Sequence, residues 1–149
     1  MRISLLPLLA LACSIPSVGQ LIGSCPPSAE RRSQGIKELR GVIVDENLAV
    51  VPKVKVTLQE PHGKEFRNIG SVEADSEGRF SFEAHRLGRY RFVFVGPVGL
   101  CRATVPVNYS QSGFKGIRLT LPVSASDTCP QYCESRLKVE EMTGREGRE

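Results

Sequence analysis

The sequence predicts an all-β protein, a seven-stranded antiparallel β-sandwich, and three observations carry that expectation. Short runs with strict two-residue apolar alternation recur along the chain. Turn-forming clusters separate them at the spacing of sandwich strands, and helix signals are absent before Glu134. The clearest case is residues 72–82, VEADSEGRFSF. Val72 and Ala74 alternate with polar residues, Asp75, Ser76, Glu77 and Gly78 supply turn chemistry, and Phe80 and Phe82 resume the alternation. Aspartate and serine hydrogen-bond nearby backbone, and Gly78 accepts a positive φ. Phenylalanines spaced by two share one strand face, so the stretch reads as a hairpin with an aromatic core.

In chain order, residues 21–35 are rich in proline, serine, glycine and charge and read as an irregular lead-in. Residues 39–45 give a first strand, with Leu39, Val42 and Val44 as apolar positions. Val50 and Val51 precede Pro52, which biases them toward extended backbone. Residues 53–60, KVKVTLQE, give the second, with Val54, Val56 and Leu58 facing in and Lys53, Lys55, Thr57 and Gln59 facing out. Residues 66–75, interrupted near Gly70, are the third strand and residues 79–84 the fourth. Residues 89–95, RYRFVFV, are the fifth, with Tyr90, Phe92 and Phe94 on one face. Residues 100–107 and 117–123 complete the set; in the latter Ile117, Leu119, Leu121 and Val123 alternate, and Pro122 ends the strand or places it at a sheet edge. Such half-buried alternation belongs to antiparallel sheets with one wet face. The predicted core is Val54, Val56, Leu58, Phe80, Phe82, Tyr90, Phe92 and Phe94. Residues 135–142 suit a short helix or an eighth strand, and the charged end of the chain reads as disordered.

The start of the chain reads as a targeting segment. Arg2 precedes an apolar run at residues 3–12, ISLLPLLALA, which is too short to span a bilayer as a helix. Ser17-Val18-Gly19 places signal cleavage after Gly19. The alternative is a lipid anchor on Cys13, but Ala10 stands where the usual leucine would precede it. No later stretch suits a membrane helix, so the expected product is secreted or periplasmic. The expected organisation is a signal peptide at 1–19, a lead-in at 20–36, a sandwich domain at 37–124 and a Cys-containing charged tail at 125–149.

Export makes the remaining cysteines, Cys25, Cys101, Cys129 and Cys133, candidates for disulfides rather than metal ligands. If the last two strands lie side by side and antiparallel, Cys129 falls near Cys101, which leaves Cys25 for Cys133. Cys129 and Cys133 can exchange roles in that scheme, and a local Cys129–Cys133 bond with Cys25–Cys101 is the rival. The formal net charge of +4 is small and interspersed, unlike the basic stripe of a nucleic-acid binder. His62 and His85 fall in predicted turns without metal-ligand spacing. Asp75 and Glu77 offer too few oxygens for calcium, and Asp75 reads as a turn cap. Asn108-Tyr109-Ser110 is a glycosylation sequon.

These residues also carry a family resemblance. Arg40-Gly41-Val42-Ile43-Val44-Asp45, followed by Val51-Pro52-Lys53-Val54-Lys55-Val56-Thr57-Leu58, resembles the opening of a carboxypeptidase regulatory-like domain, with its G-x-V-x-D and P-x-A-x-V-x-L patterns. Residues 74–82 are similar to the T-D-x-x-G-x-F-x-F segment of that family, and residues 88–92 to its G-x-Y-x-L. Ala74 departs from the usual threonine, and Lys53 stands where a small residue is common. The likeness covers residues 39–123 and implies a transthyretin-like sandwich with no catalytic residue; no cofactor or metal is expected from the residues themselves. The expected function is an exported non-catalytic module with a structural or interaction role at the cell envelope or outside the cell, its partner a protein or glycan. A carbohydrate-binding module is one alternative, disfavoured by the absence of Trp. A transthyretin-like hydrolase is another; the hydroxyisourate hydrolases end in Tyr-Arg-Gly-Ser and use inner-strand histidines, whereas this chain ends Gly147-Arg148-Glu149.

Overall fold

The computed structural model describes residues 31–124 and 130–143. Its strands are β1 (Gln34–Ile36), β2 (Arg40–Asp45), β3 (Lys55–His62), β4 (Glu65–Glu73), β5 (Arg79–Ser81), β6 (Gly88–Val95), β7 (Ala103–Tyr109), β8 (Ile117–Leu121) and β9 (Lys138–Glu141), with a helix α1 (Pro130–Arg136) before β9. They form two sheets, β1-β7-β6-β3-β4 and β5-β2-β8-β9.

The alternation in the sequence builds the core between these sheets. Val56 and Leu58 of β3, Tyr90, Phe92 and Phe94 of β6 and Val105 and Val107 of β7 meet Ile43 of β2 and Ile117, Leu119 and Leu121 of β8. Each such side chain, fully buried, contributes roughly 1.5–3 kcal/mol relative to exposure. Phe80 on β5 joins the sheets, its ring edge-on to Phe92 at 5.3 Å and to Phe94 at 5.5 Å. Edge-to-face packing adds a further favourable increment beyond area. Seven of the eight predicted core residues are buried; Phe82 is half-buried and packs against the core from beyond the end of β5.

Four expectations are corrected. First, the described residues hold nine strands rather than seven, and the sheets are mixed: β1 runs parallel to β7 and β2 parallel to β8. Second, residues 72–82 are no hairpin. The Asp75 turn forms as expected, with Gly78 at φ 71°. It carries the chain from β4 in one sheet to β5 in the other, where β5 pairs with β2. Third, the strands at 103–109 and 117–121 are not neighbours: β7 lies in the first sheet, while β8 lies between β2 and β9 in the second. Fourth, residues 135–142 are neither helix nor strand alone, since α1 ends at Arg136 and β9 begins at Lys138.

Pro122 ends β8 at Leu121, as its missing N–H requires. The interruption near Gly70 is a register shift of β4 on β3 between Leu58 and Gln59. Cys101 is bonded to Cys133, with Cα atoms 5.6 Å apart, instead of to the expected Cys129. The physical reason is α1, which brings Cys133 back over the start of the segment leading into β7. Cys25 and Cys129 lie outside the described residues, as do the predicted signal peptide, Cys13 and most of the lead-in.

Candidate functional site

The site is built on the outer face of the second sheet. Residues paired across a ladder share a face, and register sets two rows there: Val42, Arg118 and Glu140, then Val44, Thr120 and Lys138, across β2, β8 and β9. Neighbours in sequence, Ile43, Leu119 and Val139, point the other way into the core. Val42, Val44 and Thr120 are nevertheless buried at 4–5% exposure. Long charged side chains cover such a floor with their aliphatic stems.

Local chemistry at two places raises the walls. At the end of β2, Asp45 Oδ1 accepts from the Asn47 N–H at 2.8 Å and the Ala49 N–H at 2.9 Å, an Asx-type turn in which Leu48 takes φ 64°. That turn presents Glu46 and Leu48 to the cleft. On the other side, Arg136 ends α1 between two anchors: Cys133, tied to Cys101, and Leu137, buried in the core.

The resulting cleft has a volume of about 370 Å³. Arg118 Nη2 pairs with Glu140 Oε2 at 2.9 Å on one side. Arg136 pairs with Glu46 on the other, and Glu46 Oε2 also accepts from the Val123 N–H at 3.4 Å. Lys138 lies between these pairs, opposite Thr120. Among the described residues, Lys138 is the one cation lining the cleft that has no carboxylate partner. A partly enclosed cleft of this kind strengthens electrostatic contacts relative to open water. Its ammonium and hydroxyl donors can hold an anion, and its carboxylates can accept a hydrogen bond from a bound molecule.

The residues singled out from sequence lie elsewhere. Asp75 caps its turn, accepting from the N–H groups of Glu77 at 2.9 Å and Arg79 at 2.8 Å. Burial raises its pKa, but these backbone donors and the Arg79 side chain outweigh that and hold it below the ordinary aspartate value. His62 is the last residue of β3 rather than a turn residue, while His85 precedes β6. The structure brings both toward Glu60, whose carboxyl is held low first by the Arg67 hydrogen bond, against some desolvation, and then by charge from Arg67 and the two histidines. Tyr90 beside His85 has its phenol pushed up by burial, with the Glu60 charge adding to it, and its O–H donates to Arg86 O at 2.6 Å. Asn108 is exposed on β7.

Sequence reasoning missed the cleft residues. Arg118 and Thr120 read as the wet face of a strand, and Lys138 and Glu140 as part of a charged tail. The available signal was the alternation Lys138, Glu140 around Val139, which marks a strand rather than a solvated run.

No protein-family model and no curated protein matches the chain. Among solved structures it is similar to the Klebsiella pneumoniae 5-hydroxyisourate hydrolase, at 15% identity and a TM-score of 0.49, over 72% of this chain and 99% of that one. It is also similar to an (S)-allantoin synthase, at 15% identity and a TM-score of 0.43, over 74% of this chain and 44% of that one. The expectation of a non-catalytic module, and with it the answer that the chain is not an enzyme, is corrected: both similar structures are named as enzymes. At this identity the likeness carries no site residue and no substrate to the chain.

Proposed function

We propose that the cleft over β8 and β9 binds a small ligand bearing one negative charge. The observation that carries this reading is Lys138, set between two Arg–Glu pairs and opposite the Thr120 hydroxyl, with no carboxylate of its own among the described residues. Glu46 and Glu140 neutralise Arg136 and Arg118, so the described residues lining the cleft are left with a net charge near that of one ammonium. A ligand carboxylate completes the set, accepting from Lys138 and Thr120. A charge-assisted hydrogen bond of this type contributes about 1.5–3 kcal/mol.

Calorimetric titration of the purified chain with acetate, at constant ionic strength, tests the reading. Saturable binding that weakens at least tenfold in Lys138→Met is expected. No binding, or equal binding by the variant, overturns it.

We also propose that the chain is exported, with cleavage after Gly19; the support is the arrangement of Arg2, the apolar run and Ser17-Val18-Gly19. Membership of the carboxypeptidase regulatory-like family, with its transthyretin-like strand arrangement, remains a proposal resting on residues 40–58 and 74–92. The N-terminal mass of the exported chain tests the cleavage site.

A further inference from the structure

We infer that the ligand of the cleft is an aliphatic monocarboxylate, its head on Lys138 and its hydrocarbon tail on an apolar rim formed by Leu48, Val50 and Val123. This rests on the anion-binding reading above and adds the class of ligand.

Three aliphatic residues near the Glu46 end of the second sheet are exposed. Leu48 lines it directly and is 65% exposed. Val50 is 49% exposed and bridges to Val44, the floor residue, so it shares the outer face. Val123 is 53% exposed, and its N–H donates to Glu46 Oε2. Single exposed aliphatics are ordinary, but Leu48 in the cleft, Val50 on the face of Val44 and Val123 next to Glu46 offer apolar surface beside the charged set. The fold sustains this exposure by local means. The Asp45 turn holds Leu48 at positive φ, a conformation a leucine rarely adopts, with its side chain toward the cleft instead of the core. Val123 is fixed just past Pro122, whose carbonyl accepts from the Cys101 N–H at 3.0 Å, beside the disulfide.

Charge selects the head group. Both arginines have carboxylate partners, and Lys138 supplies one further positive charge, which suits one carboxylate better than a doubly charged phosphate ester. The rim selects the rest, since an anion with as short a tail as acetate leaves Leu48, Val50 and Val123 in water. Each methylene fully buried against such a surface tightens binding roughly fourfold.

Binding of acetate, butyrate and hexanoate to the full chain, at fixed ionic strength, tests the inference. The dissociation constant is expected to fall at least tenfold from acetate to hexanoate in the wild type. It should fall less than threefold in the double variant Leu48→Ser, Val123→Ser, both changes being at exposed positions that folding tolerates. Hexylammonium, with a tail of similar length and the opposite charge, should not bind. A flat wild-type series in which all three carboxylates bind overturns the inference while leaving the anion site standing. A chain-length gain that survives the double variant, or tight hexylammonium binding, also overturns it. Absence of binding by all three carboxylates overturns the inference together with the reading beneath it.

Discussion

Thr120 on β8 and Lys138 on β9 are direct cross-strand partners, so a buried hydroxyl and an exposed ammonium rise from the same face of the second sheet. The Arg118–Glu140 and Arg136–Glu46 pairs flank them. That relationship needs β9 to be docked on β8. The docking in turn depends on buried Leu137 and on the Cys101–Cys133 bond just before it.

The first prediction concerns that bond. Replacing both Cys101 and Cys133 by serine should cost about 2–5 kcal/mol of stability, because it releases a tether across 32 residues. Acetate binding at low temperature, where the variant is still folded, should weaken as well, since Arg136 loses one of its two anchors. Thermal denaturation and calorimetry on the same sample separate the two effects.

A second prediction distinguishes two aromatics that the sequence treats alike. Phe80 is buried and edge-on to Phe92 and Phe94, so Phe80→Ala should cost about 3–5 kcal/mol. Phe82 is half-buried beyond the strand end, so Phe82→Ala should cost clearly less. Chemical denaturation of both variants checks the order.

The hairpin expected at residues 72–82 shows where sequence is legible and where it is not. Strand positions follow from period two, and Val56, Leu58, Phe92, Leu119 and Leu121 are buried as that pattern requires. The turn at Asp75 was legible too, because its residues cap backbone donors in any tight turn. Whether such a turn joins neighbours in one sheet or crosses to the other depends on what Phe80 packs against, and local residues do not record that. The parallel β2–β8 pairing brings together segments more than seventy positions apart, which local alternation cannot encode. The same blindness hid the cleft, whose walls come from the Asp45 turn, β8, α1 and β9. Cys129 and Cys133, four positions apart, offered equivalent partners for Cys101 until α1 placed one of them.

A third prediction follows from Asp75. Its pKa is depressed in the fold, so the unfolded chain binds the proton more readily. The stability it contributes is present above the ordinary aspartate value and lost as pH falls through the lower folded value, that is, below about pH 4. Asp75→Asn should remove this part of the acid sensitivity, seen as a shallower loss of melting temperature between pH 4 and lower values. The group is largely exposed, so the effect should be small.

Gly78 gives a fourth. At φ 71° it sits where a Cβ would approach the Ile43 carbonyl oxygen to 2.6 Å. Gly78→Ala combines strain with a backbone clash and should destabilise by more than about 1 kcal/mol. Gly63, also at positive φ but with open space around it, should tolerate alanine better. Paired melting curves of the two variants test this.

The most direct test of the cleft is an amide chemical-shift map of the isotope-labelled chain titrated with butyrate, against sodium chloride at matched ionic strength. Saturable shifts concentrated at Thr120, Lys138, Leu48 and Arg136 are expected. Shifts that match the chloride control, or that centre on the β3–β4 face, would contradict it.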